Sequence, residues 1–155
     1  MALSLTTAAW AGDRSGELRS LVSSYKGTEG FEIVDMGGIA LSLLRAAART
    51  QVEDAEDRAA LDLFNGIKRL TVVDFSDAAP EKKESFLRKA RRILSKEELL
   101  MEARDGNEKV HIYGTSSKNG EVLEDIVILA DEALISVRGS IRTDQIEALM
   151  KQANK

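Results

Sequence analysis

The chain has no cysteine, one proline, one histidine, one tryptophan, two tyrosines and four phenylalanines. Without cysteine there is no disulfide, no thiol nucleophile, no thiolate metal ligand and no lipid anchor on a cysteine. That absence fits an oxidising or a reducing compartment equally. A lone histidine, His111, leaves no imidazole pair for a metal, and as a general base it would need an orienting partner. The few aromatics are not interleaved with basic residues, so a base-stacking platform for nucleic acid is not expected. The net charge of −4 likewise supplies no basic field. No apolar run approaches the roughly 20 residues of a membrane span. Neither GxGxxG nor GxxxxGK[ST] occurs, so a nucleotide has no loop to cradle it. No cofactor, metal, nucleic acid or transmembrane span is therefore expected.

What remains is ordinary globular material: 155 residues, 43% hydrophobic and 31% charged. A chain of this length forms one domain and removes roughly two-thirds of its unfolded surface from water. No repeat, low-complexity tract or linker divides it.

The N-terminal stretch "ALSLTTAAWAGD", residues 2–13, is apolar and small, and charge begins only at Asp13 and Arg14. Ala9 and Ala11 fit the small-residue positions of an export cleavage site, which would leave Gly12 as the first mature residue. No basic residue precedes the apolar part, so the stretch reads as the back half of an export signal. The competing reading is an N-terminal arm of a cytoplasmic domain. The expected division is a signal remnant over residues 1–11 and a single α+β domain over 12–155.

Hydrophobic spacing organises the rest. Leu18, Leu21, Val22 and Tyr25 mark a short amphipathic helix from Ser15. Phe31, Ile33 and Val34 begin a strand, and Gly37-Gly38 turns the chain into a helix from Ile39 to Gln51. Only Ser42, Arg45 and Arg49 make that helix polar, which implies burial. A third helix is expected from the acidic run at Val52–Asp57 to Phe64. Lys68 to Phe75 is a strand. Asp77 as cap, Pro80 in the first turn and Glu81 open a helix to Leu94. Its apolar face is Phe86, Leu87, Ala90, Ile93 and Leu94; its basic face is Lys82, Arg88, Lys89, Arg91 and Arg92. Four strands follow, Leu99–Arg104, Lys109–Thr115, Val122–Ala130 and Ala133–Ile141, separated by hairpin-turn residues. Ile126 to Leu129 is apolar on both parities and predicts a central strand. Thr143 or Asp144 caps a last helix carrying Ile146, Leu149 and Met150. The expected class is α+β: a mainly antiparallel sheet ending in a four-strand meander, with helices packed on one face.

The stretch from "LLMEARDGNEKVHIYG" through "EDIVILADEALISVRGSIRTDQIEALM", with the upstream joints "FEIVDMGGIALSLLR" and "FNGIKRLTVVDF", resembles the bacterial family of domain of unknown function 4252. The resemblance runs from about Gly16 to Gln152 and rests on apolar strands and glycines. It implies export, in many members through a signal or lipoprotein peptide, and it brings no catalytic motif. This chain lacks the lipoprotein cysteine.

Candidate chemistry is sparse. His111 and Tyr113 share a strand face, and Glu124 or Asp125 on the next strand would be the carboxylate partner; a solvated strand histidine is the simpler reading. Gly37-Gly38 offers N–H groups to an anion, or simply a tight turn. The run Glu53, Asp54, Glu56, Asp57 lacks calcium-loop spacing and suits a helix start. The surface candidate is the basic patch Arg88, Lys89, Arg91 and Arg92, facing an envelope protein or an anionic surface, or else a solvated face neutralised by Glu84 and Glu97-Glu98. The expected function is a non-enzymatic binding or sensing module of the bacterial cell envelope. The alternatives are a Ser/Asp/Glu hydrolase, signalled by titratable groups converging in one pocket, and a self-associating or partner-docking protein, signalled by exposed apolar surface.

Overall fold

The computed structural model describes residues 16–49 and 65–144. The expectations for residues 1–11, for the acidic third helix and for Ile146, Leu149 and Met150 lie outside them.

A further helix begins at Thr143, as expected for the last helix. Three helices and six strands make up most of the other described residues. They are α1 (residues 16–24), β1 (Glu32–Met36), α2 (Gly38–Arg49), β2 (Ile67–Asp74), α3 (Pro80–Leu94), β3 (Glu98–Asp105), β4 (Glu108–Ser116), β5 (Val122–Leu129) and β6 (Ala133–Arg142). A single 3-10 turn, Lys118–Gly120, joins β4 to β5. The strands form one sheet in the order β1-β2-β6-β5-β4-β3, and every neighbouring pair is antiparallel. β3 to β6 are a four-strand meander, and the class is α+β. β5 and β6 pair at the centre of the sheet, as the apolar run at Ile126 predicts.

Strand alternation gives the sheet two faces, each with its own core. On one face α1 and α3 bring Leu18, Leu21, Tyr25, Phe86 and Leu94 against Val73, Val127, Leu129 and Leu134. The scarce aromatics concentrate there. Phe86 meets Tyr25 edge-on at 5.1 Å and lies 4.9 Å from Phe75, while Phe31 stacks on Phe75 at 5.7 Å. Such pairs contribute roughly 0.5–1.5 kcal/mol beyond their area. The Tyr25 hydroxyl meets Ser85 Oγ at 3.1 Å, so its polar end is satisfied.

On the other face Leu41 of α2 packs with Ile67, Ile126 and Val137, and Ile128 and Ile135 are half-buried beside them. The placement of helices on one face therefore holds for α1 and α3, while α2 takes the opposite face. Burial along α2 is corrected as well. Leu41 is fully buried, but Ile39 and Leu43 are 83% and 68% exposed. Leu41 meets the sheet, while Ile39 and Leu43 lie outside it.

The start of α3 also differs from expectation. Its N-cap is Ala79, with no side-chain cap bond, and Pro80 occupies the first turn. Asp77 does not cap it. One turn earlier, Asp74 Oδ1 accepts from both the N–H (2.9 Å) and the hydroxyl (2.7 Å) of Ser76. Those bonds lower the Asp74 pKa. This local turn orients the chain, and the fixed φ of proline starts the helix.

Candidate functional site

The helix-covered face has two halves. Along five strands, residues of one parity begin as core and end as polar groups. Ile33 is followed by Asp35, Val73 is preceded by Thr71 and Arg69, and Leu134 is followed by Ser136 and Arg138. Val127 is preceded by Asp125, and Tyr113 is followed by Thr115. The polar ends lie side by side as the floor of a groove of about 380 Å³. Leu18, Arg19 and Val22 of α1 form one wall, and Ile93, Leu94 and Glu97 at the end of α3 form the other.

Three β-bulges shape that floor. The register shifts between Ile67 and Arg69, between Tyr113 and Thr115, and between Glu124 and Ile126. A bulge re-aims the side chain beside its extra residue. The extra residues fall on β2, β5 and β6, beside Arg69, Asp125 and Arg138, all of which line the groove. Asp125 takes a left-handed φ of 51°, and its Oδ1 accepts from the Gly139 N–H at 3.2 Å. Gly139 has φ 122°, and a Cβ there would collide with the Gly66 carbonyl oxygen, so only glycine fits this crossing of β6 over the start of β2.

The charges inside are unequal in their freedom. Arg69 grips Asp35 from Nε to Oδ1 at 3.0 Å and from Nη2 to Oδ2 at 2.6 Å, and the Thr71 hydroxyl donates to Oδ1 at 3.0 Å. The Arg69 hydrogen bond, followed by Thr71 and the nearby charges of Arg69 and Lys26, outweighs partial desolvation and holds the Asp35 carboxyl below its usual range. The same bond raises Arg69. By contrast, among the described residues Arg19, Lys26 and Arg138 line the groove with no hydrogen bond or ion pair from their side chains.

Titratable groups do converge in this groove, Asp35, Glu97, Tyr113 and Asp125 among them, but the hydroxyl–carboxylate pair it holds together is unsuited to general-base work. Thr71 is the groove hydroxyl bonded to a carboxylate, but a carboxylate already saturated by arginine and held down in pKa is a weak base. His111 also lines no part of the groove. Its Nε2 lies 3.3 Å from Glu102 Oε1. That partner comes from β3, where Glu102 is its cross-strand neighbour, rather than from Glu124 or Asp125 on β5; on β5 it faces Leu129, and Glu124 faces Thr115. Gly37 accepts the Leu41 N–H at 2.9 Å at the start of α2. Among the described residues no group of His, Asp and Glu could hold a metal ion, and no helix is long and apolar enough to cross a membrane.

Arg88, Lys89, Arg91 and Arg92 are all exposed on α3, away from Phe86, Ala90 and Leu94. Lys89 and Arg92 border an open hollow between α1 and α3, outside the groove. Lys89 is not free: its Nζ lies 5.5 Å above the Tyr25 ring and 3.4 Å from the hydroxyl. Among the described residues Glu84 and Arg88 form no ion pair.

Sequence reasoning missed the groove residues Asp35, Arg69, Asp125 and Arg138. The signal was present: each is a charged residue at a core parity position of a strand. That pattern was readable in "FEIVDM", "KRLTVVDF" and "LISVRG".

Fold and groove together define a single-sheet α+β domain with a polar-floored cavity beneath two helices. Residues 25–149 match the family described as Domain of unknown function (DUF4252). The match covers most of the chain, and the protein belongs to that family. No curated protein and no solved structure matches it.

Proposed function

We propose that this protein is a non-catalytic binding module whose site is the groove under α1 and α3, and that it works in the bacterial cell envelope after export. One observation carries the binding reading. Five strands each place a polar residue where the same parity elsewhere builds core, and the five converge on one cavity. None of these polar groups is buried, so this half of the face stays open to a ligand, and only Asp35, Arg69 and Thr71 are tied into a network among themselves. The cavity size suits a small molecule. Export is supported by the alanines at 9 and 11 and by family membership.

Isotope-labelled protein titrated with mixtures of small metabolites tests the binding reading. Amide shifts are expected to cluster on Ile33, Thr71, Thr115, Val127 and Ser136. Shifts scattered over the surface, or conversion of a mixture component, would refute it.

A further inference from the structure

We infer, resting on the groove as the binding site, that its ligand is a small amphipathic carboxylate, with the carboxylate met by Arg138 and Arg19 and the apolar part lying along Leu18, Val22, Ile93 and Val127. The argument is one of leftover charge. Asp35 and Arg69 neutralise each other through two short bonds, so neither is available. Asp125 is engaged by the Gly139 N–H and forms no ion pair with Arg138, although both line the same cavity. Lys26 acts on Asp35 from a distance, and Glu97 is engaged. Arg19 and Arg138 then form no ion pair or side-chain hydrogen bond among the described residues, and they stand on two elements that face each other: Arg19 on α1, Arg138 on β6.

Those two guanidiniums also share a second hollow with Lys68, Arg69, Gly139 and Ser140 and with the carboxylates of Glu124 and Asp125. Cations outnumber carboxylates four to two there, so this end of the groove carries the excess of positive charge. The other end runs into the aliphatic side chains of α1, α3 and β5. A ligand complementary to both is charged at one end and apolar at the other. Planar forks of N–H donors favour a carboxylate. A cationic ligand would meet uncompensated arginine, and a neutral one would leave the forks unanswered.

Decanoate, decanol and decylamine, titrated separately into the full chain and read by calorimetry and amide shifts, test this. Decanoate is expected to bind one-to-one in the groove, more tightly than decanol, with decylamine not binding. Arg138→Gln and Arg19→Gln are each expected to weaken decanoate about tenfold or more, as loss of a charge-assisted bond does. Their urea midpoints are expected to stay at the wild-type value, because neither arginine gives up a partner. Decanol or decylamine binding in the groove as tightly as decanoate would overturn the ligand class while leaving the groove a binding site. Decanoate affinity unchanged in both variants would overturn the role of the arginines. Failure of all three probes, together with failure of metabolite mixtures to shift groove amides, would overturn the binding reading as well.

Discussion

Arg69 and Asp35 are joined by a two-point fork, 3.0 and 2.6 Å, reaching across the first two strands of the sheet. Asp35 faces Thr71 in the ladder, so the carboxylate collects donors from two residues on one strand. Its pKa is lower folded than unfolded. The stability it supplies is therefore fully present above the unfolded value of about 3.9, and is lost as pH falls through the folded value. Asp35→Asn is expected to lower the urea midpoint at pH about 7, and the gap from wild type is expected to close below about pH 4. A gap that persists in acid would mean that the fork contributes through shape, not charge.

Phe86 is the centre of the aromatic cluster and has no exposed surface. Phe86→Ala is expected to cost about 3–5 kcal/mol in urea unfolding. Ile128, half-buried on the α2 face, is expected to fall near the lower end of the roughly 2–5 kcal/mol typical of Ile→Ala. A loss below about 1 kcal/mol would place it at the periphery.

Gly139 and Gly106 both have positive φ, 122° and 63°. A Cβ at Gly106 meets open space, whereas one at Gly139 meets the Gly66 carbonyl. Gly106→Ala is expected to cost about 1–2 kcal/mol, the left-handed penalty alone. Gly139→Ala is expected to cost more, because the backbone crossing must also open. Equal losses in matched urea curves would show that the crossing relaxes freely.

Changing Arg88, Lys89 and Arg92 together to Gln is expected to shift stability by about 0–1 kcal/mol, with the contact of Lys89 to Tyr25 as the main loss. Sedimentation with anionic vesicles is expected to show no salt-sensitive association for either protein. Tight binding by the wild type, screened at about 0.1 M salt and absent from the triple variant, would make the outer face of α3 the functional surface.

If export removes the first residues, intact-mass measurement of the protein from its native cell will give a chain beginning at Gly12. A mature chain retaining Leu3 and Leu5 would refute that cleavage.

The closing meander was legible because its turns carry Gly106, Asn119 and Gly120, and because β4 alternates Lys109, His111 and Tyr113 with Val110 and Ile112. Asn119 and Gly120 indeed take positive φ. Helix α2 was misread for a physical reason: composition without a polar stripe does not say which apolar stripe wins the sheet. Each strand shows its own charged residue at a core parity position, but no single strand shows that these residues meet. Asp35, Arg69, Asp125 and Arg138 are scattered over more than a hundred positions. Only the strand order, with β6 lodged between β2 and β5, makes them neighbours. The bulges beside Arg69, Asp125 and Arg138 have no marker in periodicity.

That position of β6 makes it the joint of the sheet. Without β6, β1 and β2 pair only with each other, and β3 to β5 form a separate ladder with no bond to them. The two half-sheets each keep an open edge until that one strand joins both. A chain whose β6 has not docked is thus the form most exposed to mispairing. The groove floor, spanning both halves, comes into being in the same step that closes the sheet.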